Sequence, residues 1–170
     1  GTGTGTGTGT VTGAGETSVA FKVRRRQNAG SQTQITGSDI FKTGQTNGQI
    51  ITDYNLGSHF SNGRFTCPSD GLYQFTIIGL IGGSSGAVAG GSYTLIAYFT
   101  KNGETDSDSI DGVQMYHYHQ SGNAGGYIYF NYTDTYQLSA NDVIGFRIQT
   151  GGFYANNQDN YAAKFMGRKL

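Results

Sequence analysis

The sequence predicts an all-β domain built as a two-sheet sandwich, and three observations support this fold class. Glycine is abundant, with 29 residues among 170, while Tyr (12) and Phe (10) supply every aromatic ring and Pro occurs once. Beyond Gly15, no long stretch places apolar residues at helical spacing. Short alternating runs instead recur between clusters of Gly, Asn, Asp and Ser, which is the pattern of strands separated by turns.

Ten segments read as strands, a number that fits two packed sheets. In chain order they are residues 18–24, the neighbourhood of Phe41, and residues 50–56, 60–67, 71–81, 92–101, 113–119, 126–132, 142–149 and 162–170. Turn chemistry supports their boundaries. Asn62-Gly63 and Asn102-Gly103 tolerate positive φ, and the segment PSDG at 68–71 suits a β-turn.

The domain organisation follows from the start of the chain. Residues 1–16 are rich in Gly and Thr, which offer little apolar area, so we predict a linker or the end of a stalk there. Residues 17–170 form one domain, long enough for a single core. There is neither an apolar run long enough to cross a bilayer nor a signal peptide, so any export signal lies upstream or is absent. The single cysteine, Cys67, excludes an intrachain disulfide.

Charge and motif content argue against several functions. The chain has 11 basic and 11 acidic residues, so a neutral balance gives no field that would gather nucleic acid or a membrane surface. We find no paired acid-base carboxylates in a recognisable frame, no nucleophile elbow, no phosphate loop and no Cys-His arrangement at informative spacing. The expectation is a binding protein and not an enzyme.

Several short motifs together resemble a known family. Residues 63–68 (GRFTCP) and 71–75 (GLYQF) are similar, almost residue for residue, to the signature of the globular head domain of C1q, in the C1q/tumour-necrosis-factor superfamily. Residues 19–21 (VAF), 98–104 (YFTKNGE), 138–143 (LSANDV) and 165–170 (FMGRKL) resemble further elements of that domain. Asn141 stands where the family has Gly.

The resemblance implies a ten-stranded jelly roll that forms a homotrimer through aromatic-rich faces, with both termini at the base and a trimeric stalk upstream. The leader here is Gly-Thr and not Gly-X-Y with Pro, so no collagen triple helix is supported. This departure favours a microbial or viral fibre tip over an animal complement-like protein.

Five aromatic residues alternate with polar neighbours, and we predict that they face the sandwich interior or a subunit interface. They are Phe65, Tyr73, Phe75, Tyr98 and Phe130. Exposure of some of these rings in a separate subunit would make trimerisation obligatory. Cys67, which has no basic pair beside it, is expected to be a buried, inert thiol and not a nucleophile.

Two clusters could bind metal, and each has a simpler interpretation. Asp106, Asp108 and Asp111 resemble a loop that holds a hard cation, and several C1q-like relatives bind calcium near the trimer apex; the alternative is an exposed acidic turn. His117 and His119 share one face of a strand and could hold a first-row metal if a symmetry mate, Asp108 or Asp111 supplied a third ligand. A solvent-facing or interface pair is the alternative. Calcium is the one cofactor that we consider.

Two further features bear on ligands. Arg24, Arg25 and Arg26 could grip a sulfated glycan, although a strand would divide them between two faces and a solvated turn is the alternative. The loops 82–91 and 151–160 combine amides with aromatic rings, which suits sugar recognition, although loop tips also vary freely without function. The candidate ligand contacts are Phe153, Tyr154, Asn156, Asn157, Gln158 and Tyr161.

The function predicted from these observations is a trimeric, non-catalytic recognition head at the tip of a fibre or stalk. It would bind a cell-surface glycan or protein and would be extracellular or on a virion surface, with three-fold avidity strengthening weak sites. The alternative is a structural trimerisation cap that registers three stalk chains without a ligand of its own. A metal-dependent enzyme built on the histidine pair is the third hypothesis.

Overall fold

The computed structural model describes residues 18–27, 35–38, 40–44, 48–82, 92–118, 127–153 and 163–170, and these form a jelly-roll β-sandwich of two antiparallel sheets. The first sheet has five strands in the order β3 (Gly48–Leu56), β1 (Ala20–Gln27), β11 (Ala163–Lys169), β6 (Gly71–Gly82) and β9 (Tyr127–Leu138). The second runs β4 (Phe60–Ser61), β5 (Arg64–Thr66), β10 (Val143–Phe153), β7 (Ser92–Lys101) and β8 (Ser109–Tyr118), and β2 (Ile35–Ser38) also pairs with β10. The predicted all-β fold class is confirmed.

The strand assignments differ from the prediction at several positions, and the largest extension is in β9, which runs to Leu138 where the prediction ended at residue 132. Phe41 lies in a turn and not in a strand, because Ile40 and Phe41 are both buried as apolar anchors of that turn. The predicted strand 60–67 is a tight hairpin, since Asn62 and Gly63 take positive φ values of 51° and 87° between β4 and β5. Strand β2 and a short 3-10 helix, Asp106–Asp108, were not predicted.

Aromatic rings fill the space between the sheets. Phe165 of β11 lies near the centre, with its ring centroid 4.9 Å from that of Phe21, 6.2 Å from Phe75 and 6.0 Å from Phe99. Phe65, Tyr73, Phe75 and Phe130 are all buried members of this core, as the alternation in their strands predicts. The rings are therefore covered within one copy of the chain, and their burial does not require a trimer.

Tyr98 is the exception, because it lies outside the core cluster. Its neighbour Phe99 occupies the inward position of β7, so the two-residue period of a strand directs Tyr98 to the outer side of the second sheet. There its ring is nevertheless only 6% exposed, and its hydroxyl donates to the Asp106 carboxylate. Of the two positions predicted for Tyr98, the sandwich interior is excluded, and the subunit interface stays a prediction.

The two ends of the sandwich differ in what they carry. At one end, called the base here, β1 begins and β11 ends, since Ala20 is paired with Arg168. At the opposite end, called the apex, lie the last residues of β1, β6, β8 and β10. The connections 28–34, 83–91, 119–126 and 154–162 join strand ends at the apex, and residues 45–47 lead into the apical start of β3; all of these residues lie outside the described ones. Within the described ranges, no helix is long and apolar enough to span a membrane.

Candidate functional site

The base of the sandwich brings together the motif residues that resemble the C1q head. Asp142 is at the centre: its Oδ2 accepts hydrogen bonds from Lys101 Nζ at 2.9 Å and from the Ser139 backbone N–H at 2.8 Å. Its Oδ1 accepts from Asn102 Nδ2 at 2.9 Å. The carboxylate therefore ties the turn after β7 to the turn before β10.

Backbone hydrogen bonds complete this base cluster, which consists of Cys67, Lys101, Asn102, Asn141 and Asp142. Cys67 N–H donates to the Asp142 carbonyl, and Asn141 N–H donates to the Cys67 carbonyl, both at 2.8 Å. Asn102 and Asn141 adopt positive φ values of 59° and 70°, a conformation that Asn tolerates better than most residues. Asn141 therefore supplies the positive φ that this turn requires, at the position where the C1q head domain has Gly.

Two pKa values reflect the surroundings of the base cluster. Burial alone would raise the pKa of Asp142, but the hydrogen bonds from Ser139, Asn102 and Lys101 outweigh it and hold the pKa below its ordinary value. Burial, followed by the charge of Asp142, raises the pKa of Cys67 to about 12. The thiol is thus buried and protonated at neutral pH, as predicted for an inert cysteine. The base cluster is a structural clamp without a nucleophile.

The acidic connection after β7 is held by the protein's own donors. Asp106 accepts hydrogen bonds from Arg147 Nε at 2.8 Å and from Gln149 Nε2 at 2.7 Å. Asp108 caps the 3-10 helix by accepting from the backbone N–H and the hydroxyl of Thr105, and these two bonds lower the pKa of Asp108. Calcium binding stays a prediction, and it would require Asp106 to leave three donors that it already has, on Arg147, Gln149 and Tyr98.

The remaining metal candidates are only partly covered by the structure. His117 and Asp111 belong to β8, in the second sheet, at positions whose side chains are not described, and His119 lies outside the described residues. Across the described ranges there is no cluster of three or more His, Cys, Asp or Glu side chains able to hold a metal ion. The histidine pair therefore stays a prediction.

One of the predicted apical ligand residues lies in the core. Phe153 ends β10 and is fully buried, with its ring centroid 5.8 Å from those of both Phe130 and Phe146. The prediction that Phe153 contacts a ligand is wrong, because strand β10 extends three residues into the predicted loop 151–160 and places Phe153 in the core. The other five candidates, Tyr154, Asn156, Asn157, Gln158 and Tyr161, lie outside the described residues.

The three consecutive arginines are divided between the two faces of β1, as the strand period predicts. Arg25 points inward and is only 5% exposed, and its Nη1 donates to the Ile40 carbonyl at 2.6 Å. Burial lowers the pKa of Arg25. Arg24 and Arg26 lie on the outer side, where Arg24 forms an ion pair with Asp53 at 2.6 Å. Arg25 therefore anchors the turn at Ile40, and the three do not form one anion-binding patch.

The outer side of the five-stranded sheet, called the open face here, was not predicted as a site. It exposes large apolar side chains that a single copy leaves uncovered, namely Tyr54, Leu56, Leu72, Tyr129 and Leu170. A shallow groove crosses it, lined by Ala20, Tyr54, Gln74, Thr76, Met166, Gly167 and Arg168. The sequence carried a signal for this face, because apolar residues also occupy outward positions of β6 and β11. An exposed apolar area of this kind is typical of a contact surface.

Comparisons with known proteins agree with the fold. The globular domain of zebrafish complement 1qA protein superimposes with a TM-score of 0.51 over 90% of this chain and 97% of that chain, at 17% sequence identity. No protein-family model matches the chain, and no curated protein is significantly similar to it in sequence. The chain therefore has a C1q-like fold, in agreement with the resemblance of its motifs.

Proposed function

We propose that this chain is a non-catalytic, trimeric recognition head, carried on a stalk at its base and binding a cell-surface glycan or protein through its apex. One observation carries the proposal: four connections join strand ends at the end of the sandwich opposite the start of β1 and the end of β11. A head attached through its base therefore presents these connections outward. Recognition residues are commonly found on loops that a rigid scaffold positions in this way.

The composition of the apical connections supports a glycan or protein ligand. Residues 154–162 contain Tyr154 and Tyr161 together with Asn156, Asn157 and Gln158. Tyrosine rings stack on the apolar faces of sugars, while amides exchange hydrogen bonds with hydroxyl groups. Phe153 fixes the start of this connection by packing in the core.

Trimeric assembly is supported by the C1q-like fold and by the apolar area on the open face. Three copies would raise the strength of a weak apical site by avidity. The same considerations support an extracellular or virion-surface location, where such heads meet their ligands. The competing function is a trimerisation cap without a ligand. It would form the same trimer but would bind nothing through its apex.

The experiment that tests the proposal has two steps. Light scattering with and without a calcium chelator measures the solution mass, and a mass of three subunits is expected in both conditions. A glycan array and intact cells are then probed with the native chain and with the Tyr154→Ala and Gln158→Ala variants. Gln137→Ala is the matched control, because Gln137 lies near the base on β9 and is exposed.

The outcomes separate the hypotheses. Apical binding predicts that Tyr154→Ala and Gln158→Ala weaken the signal about tenfold, equivalent to about 1.4 kcal/mol, while Gln137→Ala leaves it unchanged. A trimer that binds nothing on either probe would favour the trimerisation cap. A monomer in both conditions would contradict the trimeric head.

A further inference from the structure

Arg25 is a buried cation near the apical end of β1. It points between the sheets and is only 5% exposed, and its cross-strand partners, Ile50 on β3 and Ala163 on β11, are apolar. In the described part of the chain, no carboxylate forms an ion pair with it. A guanidinium remains charged at neutral pH even where burial lowers its pKa. The positive charge of Arg25 is therefore placed in the protein without an acid to balance it.

Only one side of the guanidinium has a partner among the described residues. Nη1 donates to the Ile40 carbonyl at 2.6 Å, whereas Nε is buried and has no hydrogen-bond acceptor there. Burying a charged donor without a partner costs far more stability than one hydrogen bond to a carbonyl returns. A neutral amide could hold the Ile40 carbonyl equally well, so that bond does not explain a cation at this position.

The Nε–H and Nη2–H groups form the second side, called the Arg25 edge here, and Gly48 on β3 leaves space beside it. A Cβ atom at Gly48 would lie 3.1 Å from Nε and 3.6 Å from Nη2. The Arg26 carbonyl oxygen lies 3.0 Å from the same position and can accept a hydrogen bond from a hydroxyl group. The missing side chain of Gly48 thus leaves two parallel donors open, with an acceptor next to them.

The geometry of the Arg25 edge selects a class of ligand. Two parallel N–H groups of an arginine match the two oxygens of a carboxylate, which accepts both bonds at about 2.7–2.9 Å. A hydroxyl group beside that carboxylate would donate to the Arg26 carbonyl, whose oxygen would otherwise repel the anion. Because solvent reaches so little of Arg25, the space suits one planar carboxylate better than an extended polyanion.

We propose that the Arg25 edge binds the carboxylate of a hydroxy acid, which enters from the apex either as a free small acid or as part of an acidic sugar. The ligand neutralises the buried guanidinium, so its binding stabilises the folded chain. The inference goes beyond the proposed function, because this site lies within one copy and requires neither a trimer nor the apical connections.

The first test observes the Nε–H group directly in the native protein. Its ¹⁵N–¹H signal, identified as the one that is missing in Arg25→Lys, is followed by NMR while sodium glycolate, glucuronate or acetate replaces sodium chloride at constant ionic strength. We expect glycolate to move the signal to lower field until it saturates, and acetate to bind more weakly because it lacks the hydroxyl group. Saturation by glucuronate as well would identify an acidic sugar as a ligand, and saturation by glycolate alone would identify a free hydroxy acid.

The second test removes the edge in two independent ways. Arg25→Lys keeps the charge but lacks the paired donors, and Gly48→Ala keeps the arginine but fills the space beside it. Isothermal titration calorimetry should show glycolate binding at least about tenfold weaker in both variants. Arg24→Lys is the matched control, since it makes the same change at the outward-facing neighbour that pairs with Asp53, and it should alter the affinity less than twofold.

Thermal unfolding separates a ligand site from a purely structural arginine. In chloride, Arg25→Met should melt within about 2 °C of the native protein, because replacing an uncompensated buried charge costs little. Glycolate at about ten times its dissociation constant should raise the native melting temperature by about 4 °C and leave that of Arg25→Met unchanged. A structural arginine predicts a large fall in Arg25→Met and no response of either protein to glycolate, and this result would overturn the proposal.

Two further outcomes of the NMR titration would also overturn it. A signal that lies at low field in chloride and responds to none of the three acids would show that an acid of the chain itself occupies the edge. An equal shift on raising sodium chloride alone would show a general effect of salt and not a carboxylate site. Neither outcome bears on the solution mass or on the glycan array, so the proposed function is tested separately.

Discussion

Asp142 is nearly buried, yet it accepts hydrogen bonds from three donors, on Lys101, Asn102 and Ser139. The variant Asp142→Asn removes the charge that pairs with Lys101 and places an amide N–H next to a donor. We expect the free energy of unfolding to fall by about 2 kcal/mol, measured by urea denaturation at pH 7.

The pH dependence of stability provides a second readout for Asp142. Because the folded-state pKa lies below the ordinary value, the native carboxylate contributes stability above about pH 4 and loses it as the pH falls through the folded pKa. Asp142→Asn should therefore lose less stability than the native protein as the pH falls below about 4, the ordinary pKa of an aspartate. Asp70→Asn is the control, since Asp70 is exposed and accepts one bond, from Ala140 N–H. Equal losses in the two variants would contradict the role given to Asp142.

Gly167 is required by packing and not by backbone conformation. A Cβ atom at this position of β11 would lie 2.4 Å from Phe21 Cε1 and 2.6 Å from Phe75 Cδ1. Gly167→Ala should therefore lower the free energy of unfolding by about 2–3 kcal/mol by overpacking the core. Gly44→Ala tests backbone strain instead, because Gly44 has a φ of 78° and open space around it. We expect about 1 kcal/mol there, and a larger loss at Gly44 than at Gly167 in thermal or urea unfolding would refute the packing argument.

At the scale of elements, sequence patterns predicted the long strands well, because their apolar alternation and Asn-Gly boundaries are strong signals. Strand β7 begins and ends as predicted, and β6 differs by one residue. Strand β2 was missed, since only four residues pair there. Which residues of β7 face the core was not predicted correctly, because Tyr98 and Phe99 are both aromatic. The outward ring of Tyr98 is covered by the connection that contains Asp106, and no local sequence pattern predicts this contact.

The candidate sites were predictable to different degrees. The base motifs identified residues that do cluster, because each sits at a turn with special φ or a capping hydrogen bond. The open face was missed because its assembly depends on register: Ala20 meets Arg168 and Lys22 meets Met166 only once β1 and β11 are paired. A net charge of zero for the whole chain also concealed the outward-facing cations Lys22, Arg24 and Lys164 that β1 and β11 bring together.

The 3-10 helix Asp106–Asp108 depends on one side chain of the second sheet. Arg147 Nη1 donates to Ser38 Oγ at 2.5 Å and to the Glu104 carbonyl at 3.0 Å, while its Nε bonds Asp106. Arg147→Met keeps the length of the side chain and removes these donors. We expect a loss of about 1–2 kcal/mol and faster amide hydrogen exchange in residues 104–108, because half-exposed ion pairs contribute little beyond the hydrogen bonds that they fix.

Hydrogen exchange measured by mass spectrometry on peptides checks this prediction for the element. Arg64→Met is the comparison variant: Arg64 pairs with the Glu104 side chain at 2.5 Å and its charge also acts on Asp108, whereas Arg147 donates directly to Asp106. Faster exchange confined to residues 104–108 in Arg147→Met, and absent in Arg64→Met, would support the role of Arg147. The same exchange pattern in both variants would assign the ordering of the helix to the connection as a whole.

At the scale of the whole molecule, the core and the assembly surface are separate features. Phe65, Tyr73, Phe75 and Phe130 are buried between the sheets of one copy, while the exposed apolar groups lie on the open face. The sequence-based expectation that these core rings make trimerisation obligatory therefore has no support in the packing. In the proposed trimer, a copy that dissociates would lose an interface and keep its core.

We therefore expect dissociated copies to remain folded. Leu72→Glu, which places a charge among the exposed apolar side chains of the open face, should keep the near-ultraviolet circular dichroism of its buried tyrosines at a protein concentration where light scattering gives one subunit, and it should unfold in one cooperative transition. The melting temperature of the native trimer should rise with protein concentration, because association stabilises the folded state by mass action, while that of the monomeric variant should not. A monomeric variant without near-ultraviolet signal would instead show that folding and assembly are coupled, and that the aromatic core of one copy is insufficient to hold the sandwich together.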